Sequence, residues 1–283
     1  MDLRQEIEKA TSSSVIHIDP LNGGCIGQVY RVSLANGDVL VAKFDQQRSP
    51  QLDCEGYMLK YLAENSDLPV PEVLYSSQQL LLMSYIPGES RFTKPAQEHA
   101  AELLTGLHKI SAPAFGLDSH TLIGGLHQPN PWMTSWIPFF RDHRLLFMAD
   151  EGVRSRQLPG GVHKRMQRFC DQLDKWLEEP QQPSLIHGDV WTTNILAENE
   201  RISGFIDPAI YYADAEIELA FITLFGTFSE PFFGRYQEIT PINPGFFEER
   251  RHIYNLYPLL VHVRLFGGSY VQSIDDTLQR FGF

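Results

Sequence analysis

The chain has 283 residues and a mass of 32.3 kDa, with 43% hydrophobic and 20% charged residues. That is room for one large domain or two lobes with ample core, and the composition is that of a globular protein, not a disordered or fibrous one. The net charge of −12 argues against a nucleic-acid partner, since phosphate backbones select clustered Lys and Arg. It leaves room for a nucleotide, which needs only a few local donors and a metal ion.

The opening MDLRQEIEKA reads as an acidic amphipathic helix, with Leu3, Ile7 and Ala10 on one face. It lacks the basic start and apolar centre of a signal peptide. The most apolar stretch, Leu219 to Phe228, is too short and broken to span a bilayer. Cys25, Cys54 and Cys170 are widely spaced with no CxxC pair, and the ten histidines show no HExxH spacing, so zinc is not expected. The expectation is a reduced, cytoplasmic, soluble protein with no membrane partner, monomeric or a weak homodimer.

Next, VIHI, QVYRVSL and DVLVAKF read as strands, with Asn36-Gly37 as a hairpin signal between the second and third. LDCEGYMLKYLAEN (52–65) has helical periodicity through Leu52, Met58, Leu59 and Leu62, and VPEVLYSS and LLLMSYI read as two further strands. After Gly88 the pattern turns helical. Residues 95–110 carry Ala100, Leu103, Leu104 and Leu107 on one face, and a Gly/Pro/Asn-rich loop covers 116–131. An aromatic stretch follows, then a predicted helix over 162–178 and a long apolar one over 246–266, interrupted by Pro258. The fold class predicted is α+β, with two lobes: a small β-rich N-lobe over 1–86 and a larger, mainly helical C-lobe over 87–283.

GGCIGQVYRV (23–32) puts Gly23, Gly24 and Gly27 between two strands, where backbone N–H groups can approach phosphates. The spacing is GGxxG rather than GxGxxG, and a Gly-rich hairpin turn explains it equally well. Lys43 sits among apolar residues on the next strand and needs a counter-charge, because an unpaired buried ammonium is costly. Glu55 on the following helix offers one, although a surface lysine and a solvated helix face would read the same. In LLLMSYIPGE (80–89) the backbone near Met83 and Tyr85 could meet an adenine edge, or simply end a strand at Pro-Gly.

LIHGDVWTTNIL (185–196) packs His187, Gly188, Asp189 and Asn194 into one short segment. Phosphoryl transfer needs a carboxylate to orient the acceptor hydroxyl and take its proton, and oxygen ligands for Mg²⁺. Asp189 suits the first task; Asn194 and Asp207, in GFIDPA, suit the second. ILAENERISGFID reads as a hairpin turning at Asn199, which would bring Asn194 and Asp207 together. Taken singly these residues are also what turns and caps use. His187 reads as scaffold, since Asp189 already fills the base role.

In this order the motifs resemble the protein-kinase-like superfamily. HGDxxxxN stands where protein kinases have HRDxxxxN, and IDP where they have DFG. There is no APE-like element or activation segment, which points to the small-molecule branch of aminoglycoside phosphotransferases and choline kinases. The resemblance narrows to the fructosamine kinase (ketosamine-3-kinase) family through GGCIGQVYRV, QPNPWMTSWIPFFRDHRL (128–145), HGDVWTTN with Trp191, and IDPAIYYADAEIELAF (206–221). It implies phosphorylation of a free or protein-bound sugar-amine adduct by ATP with Mg²⁺, typically at the third carbon. Such adducts then break down, because phosphate leaves more readily than hydroxide, and the family is read as a deglycation repair system.

Several readings stay open. Trp132, Trp136, Phe139 and Phe140 can stack on a sugar or form core. Among Asp214, Glu216 and Glu218, one could meet the substrate, or all could serve a helix N-terminus; Trp191 and Asp214 are the substrate candidates retained. Cys25, inside the glycine stretch, is a possible redox site or a small buried residue. Alternatives to the ketosamine kinase are another small-molecule kinase of the aminoglycoside or choline type, and a nucleotide-binding pseudo-kinase.

Overall fold

Helix α1 (Leu3–Thr11) begins on Asp2, whose Oδ1 accepts the Arg4 N–H at 3.0 Å, and its buried Ile7 packs on the sheet that follows. The structure, a computed structural model, describes residues 2–21, 28–47 and 50–283. Strands β1 (Val15–Pro20), β2 (Gln28–Leu34) and β3 (Val39–Phe44) run antiparallel, with Gly37 at φ +93° in the tight β2–β3 turn. Helix α2 (Leu52–Asn65) follows, then β4 (Val73–Ser76) and β5 (Leu80–Ser84), giving the sheet order β1-β2-β3-β5-β4.

The period of two along β5 divides this sheet into two faces. Leu80 and Leu82 pack with Ile7 of α1, while Leu81 and Met83 pack with Leu52 and Leu59 of α2. Lys43 stands opposite Leu81 in the β3–β5 register, so it too faces α2. Helix α2 lies close over the sheet because residue 56 is glycine. A Cβ there would sit 2.3 Å from Ser76 Oγ.

Beyond residue 90 the chain is mainly helical. Thr93 caps α3 (Lys94–His108) by accepting the Ala96 N–H, with Pro95 in the first turn. The segment expected as a loop over 116–131 contains a hairpin, β6 (Thr121–Ile123) and β7 (Leu126–Gln128). Its turn residues Gly124 and Gly125 both have positive φ, +54° and +80°, the geometry that two glycines accept without strain.

Helices α4 (Trp136–Phe140), α5 (Phe147–Arg154) and α6 (Gly160–Cys170) come next. α6 stops short of the expected residue 178, and Trp176 beyond it turns back to stack on Phe169 at 5.3 Å. Four short strands follow: β8 (Ser184–Ile186), β9 (Ile195–Glu198), β10 (Arg201–Phe205) and β11 (Tyr211–Ala213), paired β8 with β11 and β9 with β10. The chain closes with α7 (Glu216–Leu224), α8 (Glu230–Ile239), α9 (Arg251–Tyr254), α10 (Leu256–Phe266) and α11 (Val271–Arg280).

Pro258 interrupts the 246–266 stretch one turn upstream of itself. α9 ends at Tyr254, whose carbonyl the missing Pro258 N–H would have met, and α10 restarts at Leu256 with Pro258 in its first turn. Trp136, Phe139 and Phe140 are fully buried in the helical core, with the Trp136 indole N–H donating to Tyr254 at 3.1 Å. They are core, not sugar-stacking surface. Among the described residues no helix is long and apolar enough to cross a membrane.

Candidate active site

A cleft of about 280 Å³ opens between α2 and β3 on one side and the segments around Asp189 and Asp207 on the other. Lys43 enters it from β3, 5% exposed, and its Nζ lies 2.7 Å from Glu55 Oε1 on α2. The same Nζ also contacts Asp207 Oδ1, 164 residues further along the chain. Burial alone would lower the Lys43 pKa, but the Asp207 and Glu55 carboxylates outweigh it and raise the value above that of a free lysine. Glu55 moves up through burial, against the pull of Lys43.

The opposite wall is built by one hairpin. Asn199 and Glu200 turn β9 into β10 with φ of +49° and +65°, the mirror-image turn that suits strand twist. The Ile206 N–H donates to the Asn194 carbonyl at 2.9 Å, so the segments bearing Asn194 and Asp207 lie side by side. Asn194 Nδ2 donates to Asp189 Oδ2 at 2.8 Å and to the Asp189 carbonyl at 3.1 Å. Burial, then the Asp207 charge, push the Asp189 carboxyl up to about 8.

The loop that presents Asp189 is tied from beneath. Gly188 has φ +85°, and a Cβ there would lie 2.2 Å from the Ala209 carbonyl oxygen, so only glycine fits. The Gly188 N–H donates to Glu218 Oε1 at 2.6 Å, and the buried His108 Nε2 lies 2.8 Å from Glu218 Oε2. His187 is fully buried, its Nδ1 accepts the Asp189 N–H at 3.3 Å, and burial lowers its pKa, which keeps the imidazole neutral. It sits under the loop as scaffold.

Lys43, Glu55, Asp189, Trp191, Asn194 and Asp207 all line this one cleft. Met83 and Tyr85 do not appear among its described lining. Met83 is buried between β3 and β4, and the Tyr85 N–H donates to the Val39 carbonyl at 3.4 Å while Arg31 covers its ring. Asp214 is also elsewhere. Its Oδ1 accepts the Glu216 N–H and its Oδ2 the Tyr254 hydroxyl at 2.6 Å, at the head of α7, and burial pushes its carboxyl up to about 6. Glu216 is committed to Arg250 and Glu218 to the loop above, so all three acids serve the fold. Gly23, Gly24, Gly27 and Cys25 lie outside the described residues.

Sequence reasoning passed over the Gly124-Gly125 turn, which lines the cleft, and the pairing of Glu218 with His108. The first carried a signal, two adjacent glycines between Leu122-Ile123 and Leu126. The second carried none, since 110 residues separate the partners.

The donor set suits a hard divalent cation. Lys43 pairs with Glu55 and Asp207 while Asp45 and Asp189 line the same cleft, and Asn194 spends its NH₂ on Asp189, leaving Oδ1 for a metal. Among the described residues no group of three or more His, Cys, Asp or Glu could hold a metal by itself. Two oxygen ligands fit an ion that also binds phosphates.

The architecture is that of the kinase-like phosphotransferases: an aminoglycoside phosphotransferase, APH(4)-Ia, superposes with a TM-score of 0.70 over all of both chains, at 16% identity. The family model for fructosamine kinase matches residues 2–281, and the chain belongs to that family. It is therefore a phosphotransferase acting on a sugar hydroxyl. The slr1563 protein of Synechocystis sp., named a probable ketoamine kinase, is 30% identical over 270 residues, covering 92% of this chain and 88% of that protein. A candidate fructosamine-3-kinase from Thermobifida fusca superposes with a TM-score of 0.87 at 28% identity, covering 98% of this chain and 97% of that one.

Proposed function

We propose that the chain transfers the γ-phosphoryl group of Mg-ATP to the 3-hydroxyl of a ketosamine of the fructosamine or ribulosamine type, as a deglycation step. One observation carries the reading: an Asn-held carboxylate, Asp189, shares a cleft with an ammonium, Lys43, that is itself anchored by Glu55 and Asp207. That is the layout in which an acceptor hydroxyl can be aligned against a bound phosphate. APH(4)-Ia has been crystallised with ADP and hygromycin B, and with AMP-PNP, which supports nucleotide use within this fold.

In this reading Asp189 accepts the hydrogen bond of the acceptor hydroxyl and takes its proton as the new O–P bond forms. Lys43 leaves Asp207 for the phosphates and stays oriented by Glu55. Asn194 and Asp207 would hold Mg²⁺, which supplies charge neutralisation on the phosphate oxygens. Gly23, Gly24 and Gly27 would serve the phosphates and Trp191 the sugar, while Met83 and Tyr85, held within the sheet and away from the cleft lining, take no part. With phosphate at the third carbon, loss of the amine needs no further residue.

The test is ADP release from Mg-ATP with ribulosamine, fructosamine, an aminoglycoside and choline, with Asp189→Asn as control. Turnover of the two ketosamines supports the reading. Turnover of only the aminoglycoside or choline overturns it, and nucleotide binding with no turnover identifies a pseudo-kinase.

A further inference from the structure

Of the chain's 18 phenylalanines only Phe225 and Phe266 are exposed, at 37% and 59%, and both stand beside the cleft. Phe225 follows α7 and Phe266 ends α10, two elements brought together in the fold. Their rings belong to one continuous row. The Trp191 and Phe225 centroids are 6.1 Å apart, Phe225 and His262 4.9 Å, His262 and Phe266 5.5 Å, and His262 and Tyr270 4.9 Å. One end, Trp191, lines the cleft two residues from Asp189, and Leu265, next to Phe266, lines it as well.

The row carries no carboxylate, ammonium or guanidinium. His262 Nδ1 donates to the Pro258 carbonyl at 2.7 Å, and burial lowers its pKa, so at neutral pH the imidazole is an uncharged ring. Partly exposed aromatic rings that lead away from a reaction centre are a binding surface for an apolar group joined to the reacting one. A ketosamine has two ends. With its sugar hydroxyl at Asp189 and its ring or chain over Trp191, the nitrogen substituent is the part left to leave the cleft.

We infer that the Trp191–Phe225–His262–Phe266–Tyr270 row is the subsite for the amine-side substituent, and that it selects uncharged apolar or aromatic substituents over carboxylate-bearing ones. This rests on the ketosamine reading and adds what that reading leaves open, the class of amine. An alkyl or aryl stem gains contact with three or four rings. A glycine-type substituent brings a carboxylate to a row of five rings, none of which carries a positive charge to meet it.

The experiment compares ketosamines made from benzylamine, ethanolamine and glycine, in the wild type and in Phe266→Ala and Phe225→Leu. The wild type should favour the benzylamine adduct in kcat/KM. Each variant should lower the benzylamine-to-ethanolamine ratio about 3- to 10-fold, the size of one lost aromatic contact, through KM rather than kcat. An equal ratio in wild type and variants overturns the inference. So does a dimer that Phe266→Ala dissociates in sedimentation, because the row would then be covered by a second copy. If no ketosamine turns over, the functional reading fails, and the row is judged by calorimetric binding of the benzylamine adduct: weakening in the variants supports it, equal affinity overturns it.

Discussion

Asp189 and Glu218 divide the work of one loop, chemistry above and support below. Replacing Asp189 by Asn keeps the hydrogen bond to Asn194 sterically possible but removes the base, so kcat should fall by about 10²- to 10⁴-fold with little change in melting temperature. A loss of stability equal to the loss of activity would mean that Asp189 is structural. Glu218 behaves differently. Burial raises its pKa, but the His108 hydrogen bond and charge and the Gly188 N–H bring it below the ordinary glutamate value. A depressed carboxylate contributes stability above the unfolded pKa of about 4.3, and that contribution is lost as pH falls through the folded value. Melting curves between about pH 3 and 7 should therefore show a shallower acid limb in Glu218→Gln than in the wild type; parallel limbs would contradict this.

At the scale of elements, two glycines should respond in opposite directions to the same substitution. Gly188→Ala forces a Cβ against the Ala209 carbonyl at positive φ, which costs about 1–3 kcal/mol and displaces Asp189, so activity should fall more than stability. Gly106→Ala, on α3 with nothing within 4 Å of the added Cβ, should stabilise by about 0.5–1 kcal/mol. Denaturant midpoints read both changes.

The elements also show what a sequence can carry. β2, β3 and their Asn36-Gly37 turn are local, and alternation plus a turn signal suffices to find them. Asn194 and Asp207 meet because a hairpin joins them, again a local pattern. The fate of Trp136 or Asp214 is different in kind. An aromatic ring reads the same in a core as in a sugar site, and an acid reads the same at a helix head as at a substrate; only the packing of α4 against α9, or of Asp214 against Tyr254, decides. The inferred connector at Met83 and Tyr85 shows the same limit, since strand order, not strand pattern, sets which backbone edge is free.

For the whole molecule, the cleft joins the sheet to the helical part through Lys43 and Asp207, so ligand binding there should couple to global stability. Mg-ATP at about 100 times its Kd should add roughly 2.7 kcal/mol, EDTA should remove most of that gain, and Lys43→Met should lose it. An unshifted melting temperature with saturating Mg-ATP would count against nucleotide binding in this cleft. The central claim concerns the acceptor atom, and phosphorus-coupled carbon NMR of the product from a carbon-labelled ribulosamine addresses it directly. The account predicts phosphate on the third carbon, followed by release of the free amine on standing. Phosphate on any other carbon, or consumption of ATP with the ketosamine unmodified, would contradict it.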